Sequence, residues 1–208
     1  MSWWDEHVVP RLTDAPLSRP PVMELREQAC RELRGRVLEI GFGSGLNLGC
    51  YPDEVESIDA VEPSDLGWAR SEARRTSSRV PVARTGLDGQ RLAAADASYD
   101  AALSTFTLCT IPDAARAVAE VRRVLRPGGV FCFLEHGLAP DARVAAWQRR
   151  LDPVQGAVFG GCQLSRDTPA MLREAGLVVE ELDQHYLDGP SVMRPWIYAN
   201  LGRAARVP

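Results

Sequence analysis

The chain has 208 residues, of which 45% are hydrophobic and 25% charged, and its formal net charge is -4. This composition is typical of one globular domain spanning residues 1–208, and it argues against disorder. The acidic balance gives the chain no attraction for a polyanion, so nucleic acid is not an expected partner.

The five cysteines are scattered and odd in number, and no two of them have C-x-x-C spacing. The sequence therefore predicts neither a disulfide scaffold nor a metal site, and a reducing cytoplasm fits the pattern. The N-terminus has no basic stretch followed by an apolar run, and no apolar segment approaches the roughly 20 residues of a membrane span. A soluble, cytoplasmic protein without integral membrane association is expected.

The first 34 residues are predicted to form a helical cap. Residues Ser2–Leu12 have the pattern of one amphipathic helix and Pro21–Leu33 that of a second, which Gly35 would end. Neither segment carries a motif of its own, so the cap is defined by its position ahead of the first strand.

Between residues 36 and 135, short apolar strands alternate with helical segments. This alternation predicts a parallel sheet with helices on both faces, because parallel strands need a crossover connection. In chain order the predicted elements are the strand Arg36–Ile40, a short helix from Leu46, the strand Ser57–Val61, the helix Pro63–Thr76 with proline at its first position, the strands Val80–Ala83 and Tyr99–Thr105, the helix Asp113–Leu125, a turn at 126–129 and the strand Val130–Leu134.

Residues 136–208 are predicted to hold an acceptor-side insertion and the final strands. A helix and loop occupy Pro140–Cys162, and a helix at Thr168–Ala175 ends at Gly176. Two strands, Leu177–Tyr186 and Trp196–Leu201, are joined by a turn at 188–190 and pair antiparallel. The fold class predicted for the chain is α/β, with a Rossmann-like seven-stranded, mostly parallel sheet, helices on both faces and an antiparallel last strand.

Three alternating glycines, Gly41, Gly43 and Gly45, directly follow the first predicted strand. Glycine lets the backbone turn sharply and lets a ligand approach without a Cβ in the way. Ligands of open α/β sheets bind beyond the carboxyl ends of the strands. The second strand leads into Glu62, about twenty residues after Gly41, where a carboxylate can accept both hydroxyl hydrogens of a ribose. A glycine-rich tight turn without a ligand is the alternative, which Glu62 disfavours.

The charge around this loop distinguishes two classes of nucleoside ligand. The dinucleotide fingerprint G-x-G-x-x-G is broken, because Leu46 stands where its third glycine would fall. Glu39, just before the loop, would repel a pyrophosphate but suits a cationic amino group. S-adenosylmethionine (SAM) carries an ammonium and a sulfonium and has no phosphate, so the pattern favours SAM over NAD.

The segment Glu39-Ile-Gly-Phe-Gly-Ser-Gly45 resembles motif I of the class I SAM-dependent methyltransferases. Further matches are Ala60-Val-Glu-Pro-Ser64 to the acidic loop, Leu87-Asp-Gly89 to the adenine-binding stretch and 123–129 to the turn into the fifth strand. The resemblance implies that the glycines line the methionine and ribose, that Glu62 holds the ribose, that Asp88 and Gly89 bind the adenine and that Thr105 and Phe106 lie near the methionine. The remaining candidates for cofactor binding are Glu39, Phe42, Asn47, Pro63, Ser64 and Leu108. Asp88 could equally be a turn residue.

The last third resembles a narrower branch, the methyltransferase-like family of small-thiol methyltransferases, related to the type 11 quinone and phospholipid enzymes. The resemblance rests on 133–136, Trp147, 151–153, 161–166 and 193–198. It implies methyl transfer to a small-molecule acceptor, with a thiol favoured. Quinone, phospholipid and other O-, C- or N-methylation are alternatives, and an NAD-dependent oxidoreductase or a non-catalytic SAM-binding module is less favoured.

His136, just past the fifth strand, is the candidate general base that removes the thiol proton. The alternative is that it only hydrogen-bonds a neighbouring loop. Candidates for acceptor binding are Trp4, His7, His136, Cys162 and Arg194, although packing or surface pairing explains several of them as well. The N-terminal helix is either a lid over the cofactor or permanently packed, and the chain is a monomer or a homodimer.

Overall fold

The computed structural model describes residues 3–207, in which seven strands pair into one sheet in the order β3-β2-β1-β4-β5-β7-β6. β1 to β5 are parallel, whereas β7 runs antiparallel to both β5 and β6. The predicted Rossmann-like α/β sheet with an antiparallel last strand is therefore confirmed. The strands are β1 (Gly35–Ile40), β2 (Val55–Val61), β3 (Val82–Gly86), β4 (Tyr99–Thr105), β5 (Leu125–His136), β6 (Val178–Tyr186) and β7 (Tyr198–Ala205).

Helices cover both faces of the sheet, because successive side chains of the central strands point to opposite sides. Val37 and Leu103 pack with residues of α3 on one face, whereas Leu38 and Ala102 pack with α6 on the other. The helices are α1 (Trp3–His7), α2 (Val9–Leu17), α3 (Pro20–Cys30), α4 (Asp65–Arg70), α5 (Glu72–Thr76), α6 (Ala114–Val124), α7 (Ala142–Val158), α8 (Thr168–Glu174) and α9 (Arg194–Ile197). In the part of the chain that is described, no helix is long and apolar enough to cross a membrane.

The predicted helix Pro63–Thr76 is in fact two short helices, and it does not begin at Pro63. Ser64 caps α4, since its side chain accepts a hydrogen bond from the Gly67 amide at 3.0 Å. The break falls at Ser71, whose hydroxyl donates to the Trp68 carbonyl at 2.6 Å. Serine competes in this way with the helical backbone bonds, and the two helices α4 and α5 result.

Other boundaries shift where proline lacks an amide hydrogen. The single helix predicted over Ser2–Leu12 is divided into α1 and α2, because Pro10 cannot donate to the preceding turn; Ser2 lies outside the described residues. β3 begins after Pro81, whose carbonyl accepts from Ile58. Trp196, predicted to begin the last strand, lies in α9 behind Pro195, and β7 starts two residues later.

The predicted turn at 126–129 lies inside β5. Leu125 pairs with Tyr99 and Val130 with Ala101, so the intervening residues form an irregularity at the start of the strand. Gly128 has a φ of 78°, a conformation that glycine adopts without strain. The remaining ends of the predicted strands and helices, including the end of β7, agree with the structure to within about four residues, the usual uncertainty of element ends.

Candidate active site

The glycine loop leaves the carboxyl end of β1. In the sheet β1 lies between β2 and β4, so the loop begins where the chain changes the direction in which it adds strands. Gly41, Gly43 and Gly45 all have positive φ, at 74°, 54° and 75°. A Cβ on Gly41 would lie 1.9 Å from the Thr107 Oγ1 atom, whereas a Cβ on Gly43 would meet nothing within 4 Å. The loop is therefore packed against the β4 side at Gly41 and open at Gly43.

The Glu62 carboxylate lies directly beside the open part of the loop. Its Oε2 atom accepts a hydrogen bond from the Gly43 amide at 2.6 Å, and its Oε1 atom accepts one from the Ser64 amide at 2.7 Å. Burial raises the pKa of Glu62 from 4.5, and the two amides oppose that rise. Each oxygen keeps a further lone pair, so the carboxylate can still accept two hydroxyl hydrogens.

A second buried carboxylate, Glu39, is the last residue but one of β1, with 1% of its surface exposed. The Asn47 amide nitrogen donates to one of its oxygens at 2.7 Å, and the Tyr51 hydroxyl donates to the other at 2.5 Å. Burial raises the pKa of Glu39 to about 7, although both hydrogen bonds lower it. A positive charge placed beside Glu39 would favour the ionised form of this carboxyl group.

Arg26 of α3 brings a buried positive charge to the same place. Its guanidinium donates to the Asn47 Oδ1 atom and to the Thr105 Oγ1 atom, both at 2.7 Å, and the side chain is 3% exposed. Burial lowers the pKa of Arg26, and the nearby Glu39 carboxylate opposes this shift because it favours the charged guanidinium. The structure thus places a negatively charged and a positively charged side chain together at the carboxyl ends of β1 and β4.

Phe106, directly after β4, and His136, the last residue of β5, form the next part of the site. Their rings meet edge to face with centroids 5.1 Å apart, and the Arg26 guanidinium lies 5.6 Å from the Phe106 centroid. Phe106 has a φ of 52°, which is uncommon for an aromatic residue and fixes the backbone after β4. Burial lowers the pKa of His136 to about 4, against a hydrogen bond to the backbone of Trp196. His136 is therefore neutral at physiological pH.

The loop after Phe106 is held by a third buried carboxylate, Glu135 of β5. It accepts hydrogen bonds from the Ser104 hydroxyl at 2.6 Å and from the Thr107 and Leu108 amides at 3.0 Å. The Leu108 side chain is fully buried in the core on the α6 side. Glu135 and Leu108 thus support the loop from behind.

Several predicted site residues make contacts elsewhere. Phe42 packs in the core against Trp68 with centroids 5.5 Å apart. Asp88 accepts hydrogen bonds from the Gln90 amide and side chain, which is a turn arrangement, and Gly89 packs beside Ile40. Pro63 is exposed next to Glu62.

The predicted acceptor-side residues are dispersed. Arg194 is exposed over the Tyr186 ring, 5.2 Å from its centroid. The Trp4 indole donates to the Val158 carbonyl at 2.8 Å, which ties α1 to the end of α7. His7 is half-buried in α1. Cys162 is buried in a cluster with Cys109 and Leu164, against which Trp196 packs.

The N-terminal helix α2 reaches the glycine loop through Asp14. Its carboxylate accepts a hydrogen bond from the Ser44 hydroxyl and forms an ion pair with Arg70 of α4 at 2.5 Å. Arg74 also donates to the Ser44 carbonyl at 2.9 Å. The helical cap therefore contacts the same loop that the two carboxylates flank.

A groove of about 350 Å³ lies apart from these residues, between α3 and the pair β6–β7. Gln28, Leu182 and Arg203 are among its lining residues, and none of the residues predicted for the site lines it. Its walls lack the glycine loop and the buried carboxylates, so we assign the chemistry to the ends of β1, β2 and β4 instead.

Arg26 and Tyr51 were missed by the sequence analysis. The available signal was a charged residue within a buried stripe: Leu25, Ala29 and Cys30 of α3 are buried together with Arg26. A charged side chain buried among apolar residues destabilises the fold unless polar groups pair with it. Here those groups are the polar residues at the ends of β1 and β4. Tyr51 carried no such signal, because buried tyrosines are common.

Comparison with known proteins agrees with this geometry. The family described as "Methyltransferase domain" matches residues 38–133. The chain is 32% identical to thiol S-methyltransferase TMT1A of Homo sapiens over 171 residues, covering 78% of this chain and 68% of that protein. It is 34% identical to thiol S-methyltransferase TMT1B of Homo sapiens over 138 residues, covering 64% of this chain and 55% of that protein.

A solved structure of a SAM-dependent methyltransferase from Thermotoga maritima has the same fold, with a TM-score of 0.67, 21% identity and 98% of each chain covered. The likeness to TMT1A spans more than two thirds of both chains. The chain therefore belongs to the class I SAM-dependent methyltransferases and is an enzyme that uses SAM as its methyl donor.

Proposed function

We propose that the enzyme methylates the sulfur of a small thiol. The observation that carries the proposal is the neutral imidazole of His136, edge to face with Phe106 beyond β5. A thiol has a pKa of about 8.5, so it ionises near neutral pH without a strong base, whereas an alcohol or an amine needs more assistance. The names of the relatives TMT1A and TMT1B support the same class of acceptor.

The residues around the glycine loop fit SAM. A Cβ on Gly43 would meet open space, which leaves room for a ligand against the backbone. We assign the ribose to Glu62 and the ammonium of the methionine part to Glu39 and Asn47. Two buried carboxylates suit a ligand that carries positive charge and no phosphate. When bound, SAM supplies a methyl group on a sulfonium that is already a good leaving group.

Arg26 is assigned to the carboxylate of the methionine part. Its guanidinium is held by Asn47 and Thr105 and is buried beside Glu39. Arginine binds a carboxylate more strongly than a neutral donor does, because the hydrogen bonds are charge-assisted. Arg26 and Glu39 would then fix both charged groups of one amino acid.

The chain's main contribution to the reaction is alignment of the acceptor. Phe106 and His136 form the wall next to the Arg26 and Thr105 side chains. A neutral imidazole can accept a hydrogen bond from the thiol and orient its sulfur, and alignment of this kind contributes several kcal/mol to catalysis. Phe106 and His136 are both half-buried, so a thiolate beside them would be less hydrated and a better nucleophile.

Replacing His136 with Ala is expected to lower kcat/KM for the thiol about five- to tenfold, the value of one neutral hydrogen bond, while the Kd for SAM stays the same. Because the pKa of His136 is about 4, the rate of both enzymes should rise with the ionisation of the thiol and show no inflection near pH 6.5. Initial rates between pH 6 and 9 measure this. His185→Ala, on the edge strand β6, is the matched control.

Unchanged turnover in His136→Ala would remove His136 from the mechanism. A loss of several orders of magnitude, with a pH inflection that disappears in the variant, would show instead that it acts as a full general base. Either result leaves the choice of methyl donor intact.

The proposed acceptor is tested by incubating the full chain with methyl-labelled SAM and three matched compounds: an alkyl thiol, the corresponding alcohol and the corresponding amine. Methyl transfer to the thiol alone is expected. Transfer to the alcohol or to the amine with none to the thiol would contradict S-methylation. Tight SAM binding with no turnover on any of them would favour a non-catalytic module.

Other predictions from the sequence await their own measurements. Contacts of Trp4, His7, Cys162 and Arg194 with the acceptor stay predictions, as does adenine binding by Asp88 and Gly89. The cytoplasmic location, the oligomeric state and the single-domain organisation are likewise predictions.

A further inference from the structure

Two thiols face each other behind the acceptor wall. The sulfurs of Cys109 and Cys162 lie 3.5 Å apart, although the residues are 53 positions apart in the chain. Both side chains are buried in a small apolar cluster with Leu164, and Trp196 packs against it. Trp196 in turn contacts His136 through its backbone.

The backbones that carry the two cysteines are already joined. The Gln163 amide donates to the Cys109 carbonyl at 2.9 Å, and the Arg166 guanidinium donates to the Leu108 carbonyl at 2.6 Å. A Cβ on Gly161 would lie 2.9 Å from the Thr110 carbonyl oxygen, so this glycine lets the two segments approach closely. The pairing of the sulfurs therefore follows from the packing of two loops and not from one rotamer.

We propose that Cys109 and Cys162 are a redox modification site that forms a reversible intramolecular disulfide when the enzyme meets a peroxide. One thiolate attacks the peroxide, which gives a sulfenic acid and releases water or hydroxide. The second thiol then attacks the sulfenic sulfur, so that the S–S bond forms and a second water leaves. In total two thiols and hydrogen peroxide give one disulfide and two waters, and a dithiol reductant reverses the change.

Cys162 is the sulfur that reacts first. The contact with Cys109 lowers the pKa of Cys162 and raises that of Cys109. The burial of Cys162 is shallow, because Gly161 and Gln163 on either side of it are exposed. A small peroxide therefore has a short path to this sulfur, and Cys109 lies in the position of the resolving thiol.

Formation of the bond requires a modest rearrangement. A disulfide has sulfurs about 2.05 Å apart, so the two must approach by about 1.5 Å from their present distance. Both cysteines lie outside the helices and strands, in the segments after β4 and after α7, where such a shift is least costly. Oxidation would tie the segment before α8 to the loop that carries Phe106.

The test uses the full chain, oxidised with hydrogen peroxide, alkylated, and digested with trypsin without reduction. Tryptic peptides 92–116 and 151–166 contain Cys109 and Cys162 as their single cysteines. We expect a linked species with the mass of both peptides less two hydrogens, and its disappearance after dithiothreitol. We also expect an increase of several degrees in Tm on oxidation, because the link closes a long loop of the chain.

The other three cysteines are internal controls, since Cys30, Cys50 and Cys132 lie on peptides of their own. They should remain alkylatable after unfolding. Cys132→Ala should oxidise as the natural chain does, whereas Cys109→Ala should leave Cys162 as a sulfenic acid that dimedone traps. Free thiols at both Cys109 and Cys162 after peroxide, or a link that joins either of them to a different cysteine instead, would overturn the proposal.

Discussion

Replacing Glu39 with Gln is expected to weaken SAM binding by about 10- to 100-fold without unfolding the enzyme. A charge-assisted hydrogen bond contributes about 1.5 to 3 kcal/mol, and the neutral amide cannot supply it to an ammonium group. Glutamine keeps the shape of the side chain, and it can still accept from Asn47 or exchange a hydrogen bond with Tyr51. Isothermal titration with SAM measures the change in Kd.

The same substitution should change how stability depends on pH. The pKa of Glu39 is about 7 in the folded chain and 4.5 as its ordinary value. Between these values the folded chain retains a proton that the unfolded chain has lost, so this group makes the natural enzyme less stable as the pH rises through that window. Urea unfolding at several pH values measures the free energy of unfolding of both chains. The difference in favour of E39Q should grow as the pH rises to about 7 and stay constant above that pH.

Glu135→Gln is the matched control, because this carboxylate is equally buried but accepts from the Ser104 hydroxyl and from loop backbone amides, and no part of SAM is assigned to it. The variant should lose stability, since an amide NH₂ would face backbone donors, while its Kd for SAM should change far less than in E39Q. A Kd in E39Q equal to that of the natural enzyme would show that no ammonium binds beside Glu39.

Replacing Gly41 with Ala is expected to lower the free energy of unfolding by about 2 to 4 kcal/mol. The new Cβ would lie 1.9 Å from the Thr107 Oγ1 atom, and the φ of 74° already disfavours any side chain. Thr107 cannot easily withdraw, because its amide is held by Glu135 at 3.0 Å. Thermal unfolding should show Tm about 5 to 15 °C lower.

Gly43→Ala separates strain from binding, because Gly43 also has a positive φ but a Cβ there would meet no atom within 4 Å. This variant should lose only about 1 kcal/mol of stability from its backbone conformation. Its affinity for SAM should nevertheless fall, since the methyl group enters the space beside Glu62. Natural affinity in Gly43→Ala would mean that the cofactor does not approach this backbone, and a natural Tm in Gly41→Ala would contradict the packing.

The succession of strands along the chain up to β5 could be predicted because local residues mark each strand. Each apolar strand is short and bounded by glycine, proline or a polar residue, and β4 was bounded correctly at Tyr99 and Thr105. The errors arose where a single side chain decides the local hydrogen bonds, as Ser71 does between α4 and α5. Periodicity does not report which backbone groups a serine or a proline will leave unpaired.

The positions of the two acids were also predictable, since Glu39 lies near the carboxyl end of β1 and Glu62 directly follows its neighbour β2. Arg26 was not, because it reaches the site from a helix whose packing angle no local pattern encodes. The proximity of Cys109 and Cys162 has the same origin, as it depends on how two distant loops meet.

The opposed charges of Arg26 and Glu39 have a consequence for selectivity among adenosine compounds. A site with a positive and a negative side chain at one end binds a zwitterion best. Adenosine derivatives that lack an amino-acid tail would be held only by contacts to their sugar and their adenine ring. Because Arg26 belongs to α3 and not to the sheet, the segment ahead of the first strand would set this discrimination under the proposed assignment. A core that began at β1 would present two acids without their counter-charge.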